Sequence, residues 1–527
     1  MSKFIYDDFV RLRREPDSRS KVILTLAYGD EVDVIEQQGR YIKLRAKTHY
    51  DGTAEGWAKN DPDLSLGDKG IFKFSMVDVQ QGDGLIMESP NGKIVLIDGG
   101  DNKLFARHVA ARFRHKQTSA ENPLDVAAII ISHGDADHFD GLNDLVRSEH
   151  QPGLAARKRI FIHPKRIYHN GLVKASSKKE DGSSRPTREM FGRSLEKQGE
   201  TYACDLVDDP RDVEDELRNA PFDRWAKTLD HWETRGHMDV RRIAFGDNEN
   251  DLFDFLREDG VHVRLQGPFS EPIKDPLDNK IKPMLRFFRA PEKSPDMHLD
   301  AGREGAVSAS HTINGHSIAL QVRIGNVRLN LTGDLNKPSM RLMRDNIPAK
   351  QLEAEIIKAP HHGSADFDFQ ALKDMSPIVA IISSGDENPS KEHIHPRATL
   401  MAALGKVMRL DTGVILNTEL AAFFGTKGYA YKRDDLKAFF KEHSQENFTR
   451  EELQKMFTGK IDPGDPRGAF YAFERKNFGI IHIRTDGERV LVFTHSGKKG
   501  LNEAYRFTVR MEGQERKIVF AKKAKVR

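Results

Sequence analysis

Cysteine is almost absent. Cys204 is the single one in 527 residues, which excludes an intramolecular disulfide and any multi-cysteine zinc site. Metal binding, if there is any, must draw on His, Asp and Glu. Long apolar runs are missing too: the longest, such as residues 126–131, are strand-sized, far short of the roughly 20 residues a membrane helix needs. The first residues, Met-Ser-Lys-Phe-Ile-Tyr-Asp-Asp, lack the apolar stretch of a secretory signal. The expectation is a cytoplasmic protein with no membrane partner. Net charge is small as well, +3, so no bulk polycation argues for nucleic acid and any basic surface must be local.

What is present suits a soluble protein with polar insertions rather than disorder: 38% of residues are hydrophobic and 31% charged. The length asks for two or three domains. Residues 1–66 read as a small all-β unit of short alternating runs, parted by turn residues at Pro16, Gly29-Asp30 and Gly39. Val10-Arg11-Leu12-Arg13, Gly29-Asp30-Glu31-Val32, Tyr41-Ile42-Lys43-Leu44 and Gly56-Trp57 resemble a bacterial SH3-like barrel. That resemblance implies a module that binds a ligand or protein partner; a module that only braces its neighbour carries equal weight. Residues 67–510 read as one larger domain of strands and helices with charged insertions at about 145–260 and 430–470. A tract at 176–188, rich in Ser, Lys and Arg, reads as flexible. Residues 511–527 read as a basic C-terminal tail.

The densest chemical signal is His133-Gly134-Asp135-Ala136-Asp137-His138, placed directly after an apolar strand. It packs four candidate ligands, His133, Asp135, Asp137 and His138, into one turn, and imidazole and carboxylate are donors that divalent ions prefer. The plainer alternative is a polar loop whose aspartates, Asp140 among them, cap the next helix.

The hexapeptide resembles the metallo-β-lactamase superfamily, in the variant where Asp135 replaces the second histidine. More narrowly it is similar to the hydrolase domain of ComEC-type DNA-uptake proteins, as is Asp78-Val79-Gln80-Gln81-Gly82-Asp83-Gly84. The resemblance implies an α/β, four-layer αββα fold. Leu96-Ile97-Asp98-Gly99-Gly100 matches the superfamily's first motif, whose Asp is a structural support more often than a ligand. Leu331-Thr332-Gly333-Asp334 matches the strand end whose Asp bridges two ions. Pro360-His361-His362-Gly363-Ser364 is similar to the Pro-His-His-Gly-Ser motif of the branch; at most one of the two histidines contacts metal, and the other serves the phosphoryl or leaving group. His393-Ile394-His395-Pro396 resembles the final motif with Ile394 in place of a proline, so His393 is favoured as the terminal ligand with His395 close behind. Gly315-His316-Ser317 stands where some members carry a further ligand, His316, while Asn314 and Ser317 fit the ComEC-like pattern instead.

This resemblance implies two divalent ions, Zn²⁺ or Mn²⁺, about 3.5–4 Å apart, which activate water and polarise the substrate. Asp137, His361 and His362 are the expected catalytic residues. The ComEC-like variant points to phosphodiesters, with nucleic acid as leading substrate and modest support from basic stretches at 157–159, 165–166, 174–179 and 522–525. Two alternatives stand beside it: a hydrolase of a small phosphodiester or phosphocholine-like ester, and a partner-recruiting component of a bacterial defence or DNA-processing system.

Overall fold

The computed structural model describes residues 2–48, 52–151, 158–291, 304–385, 395–410, 412–420, 441, 476–477, 479–495, 503–513, 515–521 and 524. The expected insertion at 430–470, residue 441 apart, and His393 lie outside the described residues.

Residues from Lys3 to Gly67 form one seven-stranded sheet, in the order Val22–Ala27, Phe9–Arg13, Gly52–Lys59, Tyr41–Thr48, Glu31–Gln38, Lys3–Ile5, Leu66–Gly67. Alternation explains its half-barrel form. In Phe9–Arg13, Val10 and Leu12 are buried while Arg11 between them is exposed, and they meet Leu26, Val32, Leu44 and Ala58 in a small core.

The rest is a metallo-β-lactamase fold: two large sheets face to face, with helices on both outer surfaces. The ten-stranded sheet runs Asp239–Arg242, Arg166–His169, Ala128–Ile130, Ile94–Ile97, Leu85–Glu88, Phe72–Met76, Ile480–Thr485, Arg489–His495, Ala504–Glu512, Glu515–Ala521. The six-stranded sheet runs Val261–Gly267, Ala319–Ile324, Val327–Leu331, Ile356–Lys358, Val379–Ile382, Val414–Asn417. Phe74, Ile97 and Ile130 from the first pack with Leu320, Leu329 and Ile381 from the second in one continuous core. Helices Leu104–Arg112, Asn143–Glu149 and Ala220–Glu233 cover the first sheet, and Lys337–Asn346, Phe369–Met375 and Ala398–Val407 cover the second.

Both sheets aim their strand ends the same way. Ile94–Ile97, Ala128–Ile130, Arg166–His169 and Asp239–Arg242 are parallel neighbours. So are Val327–Leu331, Ile356–Lys358, Val379–Ile382 and Val414–Asn417. Their carboxyl ends share one edge, where loops held by a rigid sheet carry chemistry in layered α/β folds.

Two sequence expectations fail here. The region at 145–260, expected as a charged insertion, is partly built into the main sheet. It supplies two strands of the main sheet and the helix Ala220–Glu233, whose Trp225 and Trp232 are fully buried; truncating either to alanine costs about 3–5 kcal/mol. The abundant surface charge masked a sparse set of large core residues. Within that region the tract at 176–188 is held in place: Arg185 donates to the Ser176 carbonyl at 3.0 Å and to the Glu216 carbonyl at 3.0 Å. Nor are residues 515–521 a tail, because Glu515–Ala521 pairs antiparallel with Ala504–Glu512 as the last strand of the ten-stranded sheet.

The N-terminal sheet docks on that large sheet through buried charge. Arg484 donates to the Tyr28 carbonyl at 2.8 Å and to Asp30 at 2.7 Å. Arg489 pairs with Asp8 and lies over the Tyr28 ring, 4.3 Å from its centroid. Ala27, Tyr28, Ile71, Leu491 and Phe493 fill the space between. Removing one partner strands the other charge at a mostly dry contact. Arg484→Ala should therefore lower stability by about 2 kcal/mol, the buried-pair figure reduced for the partial exposure of Asp30. Urea denaturation checks this, and an unchanged midpoint would contradict the brace.

Candidate metal centre

The first half of the site is built on Asp98. It follows the buried strand Ile94–Ile97 and takes a left-handed backbone conformation, φ +57°. Its Oδ1 accepts from the Ser132 amide at 2.7 Å and its Oδ2 from the Ser132 hydroxyl at 2.7 Å. The same Oδ2 accepts from His138 Nδ1 at 2.9 Å. Asp98 therefore supports the site from behind, as the motif implied: it fixes the His138 tautomer and leaves Nε2 free as a donor to a cation.

The second half comes from the other sheet. Asp334 follows Val327–Leu331 after Gly333, whose positive φ of +49° makes the tight turn. Its amide donates to Ser317 Oγ at 2.9 Å. His361 and His362 follow Ile356–Lys358, both at positive φ, 46° and 50°, a strained arrangement that marks functional backbone. It turns the two rings apart, at 73°. His362 Nδ1 donates to the Ser383 carbonyl at 3.2 Å, which again leaves Nε2 free.

Those two nitrogens and one Asp334 oxygen converge. His138 Nε2 lies 3.2 Å from His362 Nε2 and 3.3 Å from Asp334 Oδ2, and His362 Nε2 lies 3.1 Å from that oxygen. Donors of a tetrahedral ion with bonds of about 2.0–2.1 Å stand about 3.3–3.4 Å apart. The triangle thus matches three corners of such an ion. Asp137 Oδ2 lies 3.7 Å from His362 Nε2, a further donor beside the triangle, and its side chain is part-exposed.

Asp83 and Lys358 complete the cluster, and sequence reasoning gave neither a role. Asp83, His138, Asp334 and His362 are mutually close and all buried. Asp83, however, faces the Nδ1 side of both rings, 3.6 Å from His362 Nδ1 and 4.0 Å from His138 Nδ1. It backs the histidines rather than joining the triangle. Gly82 lets its loop in: at φ +99°, a Cβ there would sit 1.7 Å from the Asp137 carbonyl oxygen. Lys358 is fully buried, pairs with Asp83, donates to the Gly333 carbonyl at 2.6 Å and stands 3.5 Å from Asp334 Oδ1. A lysine inside the apolar run Ile356-Ile357-Lys358-Ala359 was the available signal.

Other expected residues are placed as follows. His133 is fully buried, its ring 4.0 Å from that of His138, with Nδ1 3.1 Å from Ser132 Oγ and 3.2 Å from Ser317 Oγ. Asp135 Oδ1 holds the Lys174 ammonium at 2.6 Å. His316 is turned away: its Nε2 donates to the Arg286 carbonyl at 2.7 Å and its ring stacks on Phe288, so it is absent from the donor cluster. His361 Nε2 lies 3.8 Å from Asp334 Oδ2 and 3.3 Å from the Asn314 amide nitrogen. His395 brings its ring within 5.8 Å of His361 and 6.5 Å of His362, at the outer rim. Asp140 pairs with Arg224 at 2.6 Å and is not the N-cap of the helix Asn143–Glu149, a position that Leu142 holds.

Several cations of the local basic stretches are paired with acids. Lys165 and Arg166 stand at the start of their strand, away from the site edge, and pair with Asp125 and Asp254. Lys179 pairs with Glu189.

Charge couples tightly here. Burial opposes ionisation of His138, yet Asp334 and Asp98 outweigh it and hold its pKa well above 6.5. His362 is likewise raised against burial, chiefly by Asp334. Burial would raise Asp334, but His362, His138, His361 and Lys358 hold it well below its ordinary value. Burial pulls His316 down to about 4.

Two family models match the chain: Bacterial SH3 domain over residues 8–61 and Metallo-beta-lactamase superfamily over residues 77–245. No curated protein matches it. The superfamily match supports a metal-dependent hydrolase. It ends before Asp334, so the second half of the centre rests on geometry.

The carboxylates that raise both His138 and His362 strengthen proton binding at the same rings, so a cation must compete with protons for their nitrogens. Apparent metal affinity should thus rise as pH climbs through and above 6.5, with proton release visible as a buffer-dependent calorimetric enthalpy. Affinity independent of pH would contradict this. Asp98→Asn, which removes the anchor of His138, should weaken metal binding about 10–100-fold, read by chelator competition.

Proposed function

We propose that the chain hydrolyses phosphodiesters, with nucleic acid as the leading substrate, as in the ComEC-like branch that its motifs resemble. The observation that carries the reading is the triangle of His138 Nε2, His362 Nε2 and Asp334 Oδ2, with Asp137 beside it. Its mixed imidazole and carboxylate donors suit Zn²⁺ or Mn²⁺. Such an ion, when bound, polarises a phosphoryl oxygen and lowers the pKa of water from about 15.7 towards about 7.

The chain's own groups divide the remaining work. His138 and His362 are fixed from behind by Asp98 and the Ser383 carbonyl, so their orientation is set before substrate arrives. His361 is left to face the substrate, because its neighbour is turned inward. Its side chain is about one-quarter exposed, and burial holds its pKa below the ordinary value. It therefore enters neutral, able to exchange a proton with water or the leaving oxygen, while Asn314 steadies its ring. No serine or cysteine nucleophile is required: Cys204 is buried with its thiol 3.6 Å from the Tyr202 carbonyl.

Purified chain should be incubated with single- and double-stranded DNA, RNA and bis-p-nitrophenyl phosphate, each with Mn²⁺ and with Zn²⁺. Nucleic-acid cleavage is expected, with His362→Ala and Asp334→Asn each losing more than about a hundredfold. Cleavage of the small ester alone would move the substrate class to small phosphodiesters or phosphocholine-like esters. No turnover and no bound metal would favour a partner-recruiting role, with the SH3-like module as its docking element.

A further inference from the structure

A carboxylate can bridge two ions about 3.5–4 Å apart by giving each of them one oxygen. Asp334 is disposed differently. Its Oδ2 faces His138 and His362, while its Oδ1 faces the buried Lys358 ammonium at 3.5 Å. Lys358 is itself held by Asp83 and by the Gly333 carbonyl, so it has little freedom to withdraw.

Two donors that the sequence offers to a second ion, Asp135 and His316, are engaged elsewhere. Asp135 Oδ1 holds Lys174 Nζ at 2.6 Å. It stands at the N-cap of the helix Ala136–Phe139 without making a side-chain cap bond. His316 points at the Arg286 carbonyl, on the far side of its own backbone turn. Ser317 fills the corner that this leaves: its hydroxyl donates to the Asn314 carbonyl at 2.7 Å, accepts from the Asp334 amide and lies 3.2 Å from His133 Nδ1.

We infer that the centre holds a single divalent ion, and that two lysine ammoniums, Lys358 on Asp334 and Lys174 on Asp135, take the place of the second. This rests on the metal-dependent reading above and departs from the two ions expected from the motif resemblance. Among the described residues the donor triangle fits one ion, and Asp334 and Asp135 each turn an oxygen to a lysine rather than to a second. Fixed ammoniums supply positive charge to the carboxylates without needing a coordination shell.

Counting ions tests this independently of turnover. The full chain is loaded with Mn²⁺, passed into metal-free buffer and measured by elemental mass spectrometry and electron paramagnetic resonance. One Mn²⁺ per chain with an uncoupled signal is expected. Two per chain with an exchange-coupled signal would overturn the inference. No retained ion, with Mn²⁺ or with Zn²⁺, would overturn the metal-dependent reading itself. Asp135→Asn should leave the count at one, whereas His362→Ala should lower it; an ion lost in Asp135→Asn would place Asp135 among the ligands and refute its assignment to Lys174.

Discussion

Three carboxylates, Asp83, Asp98 and Asp334, are buried almost completely within one small volume. Buried carboxylates cannot stay ionised together without compensating charge or donors. Each has a different partner. Asp98 has Ser132 and His138, Asp83 has Lys358, and Asp334 has the two imidazoles and the far side of the same lysine. The convergent nitrogens around Asp334 Oδ2 are where a cation completes the balance. The geometry of the centre follows from that electrostatic constraint.

The fold makes such crowding affordable by splitting it between two sheets. Asp98 and His138 come from the ten-stranded sheet, Asp334, Lys358 and His362 from the six-stranded one, and the continuous apolar core between the sheets fixes their separation. Small errors in register would misplace donors by several ångströms, since successive residues on a strand are about 3.3 Å apart. The N-terminal sheet contributes at a distance. By docking Asp8, Asp30 and Tyr28 on Arg484 and Arg489, it secures Ile480–Thr485, which pairs with Phe72–Met76, and the next strand Arg489–His495.

Much of this was legible from residue order. Period-2 runs located the N-terminal strands, and apolar runs ending in polar clusters located Ala128–Ile130, Val327–Leu331 and Ile356–Lys358. His138, Asp334 and His362 could be nominated because each sits just past such a run. Side-chain direction was not legible. Nothing local says that His316 turns to a carbonyl, that Asp135 meets a lysine 39 positions away, or that Asp83 backs two histidines. Those facts depend on packing between segments remote in sequence. Charge-rich composition likewise concealed the core strands of residues 145–260, where a few large residues such as Tyr168, Trp225 and Trp232 suffice to bury an element.

Anomalous diffraction from crystals grown with Mn²⁺ or Zn²⁺ addresses the central claim most directly. The account predicts a peak about 2.1 Å from His138 Nε2, His362 Nε2 and an Asp334 oxygen, with Lys358 still paired to Asp83. A metal bound by His316 and Asp135 instead, or no peak at the Asp334 triangle, would contradict it.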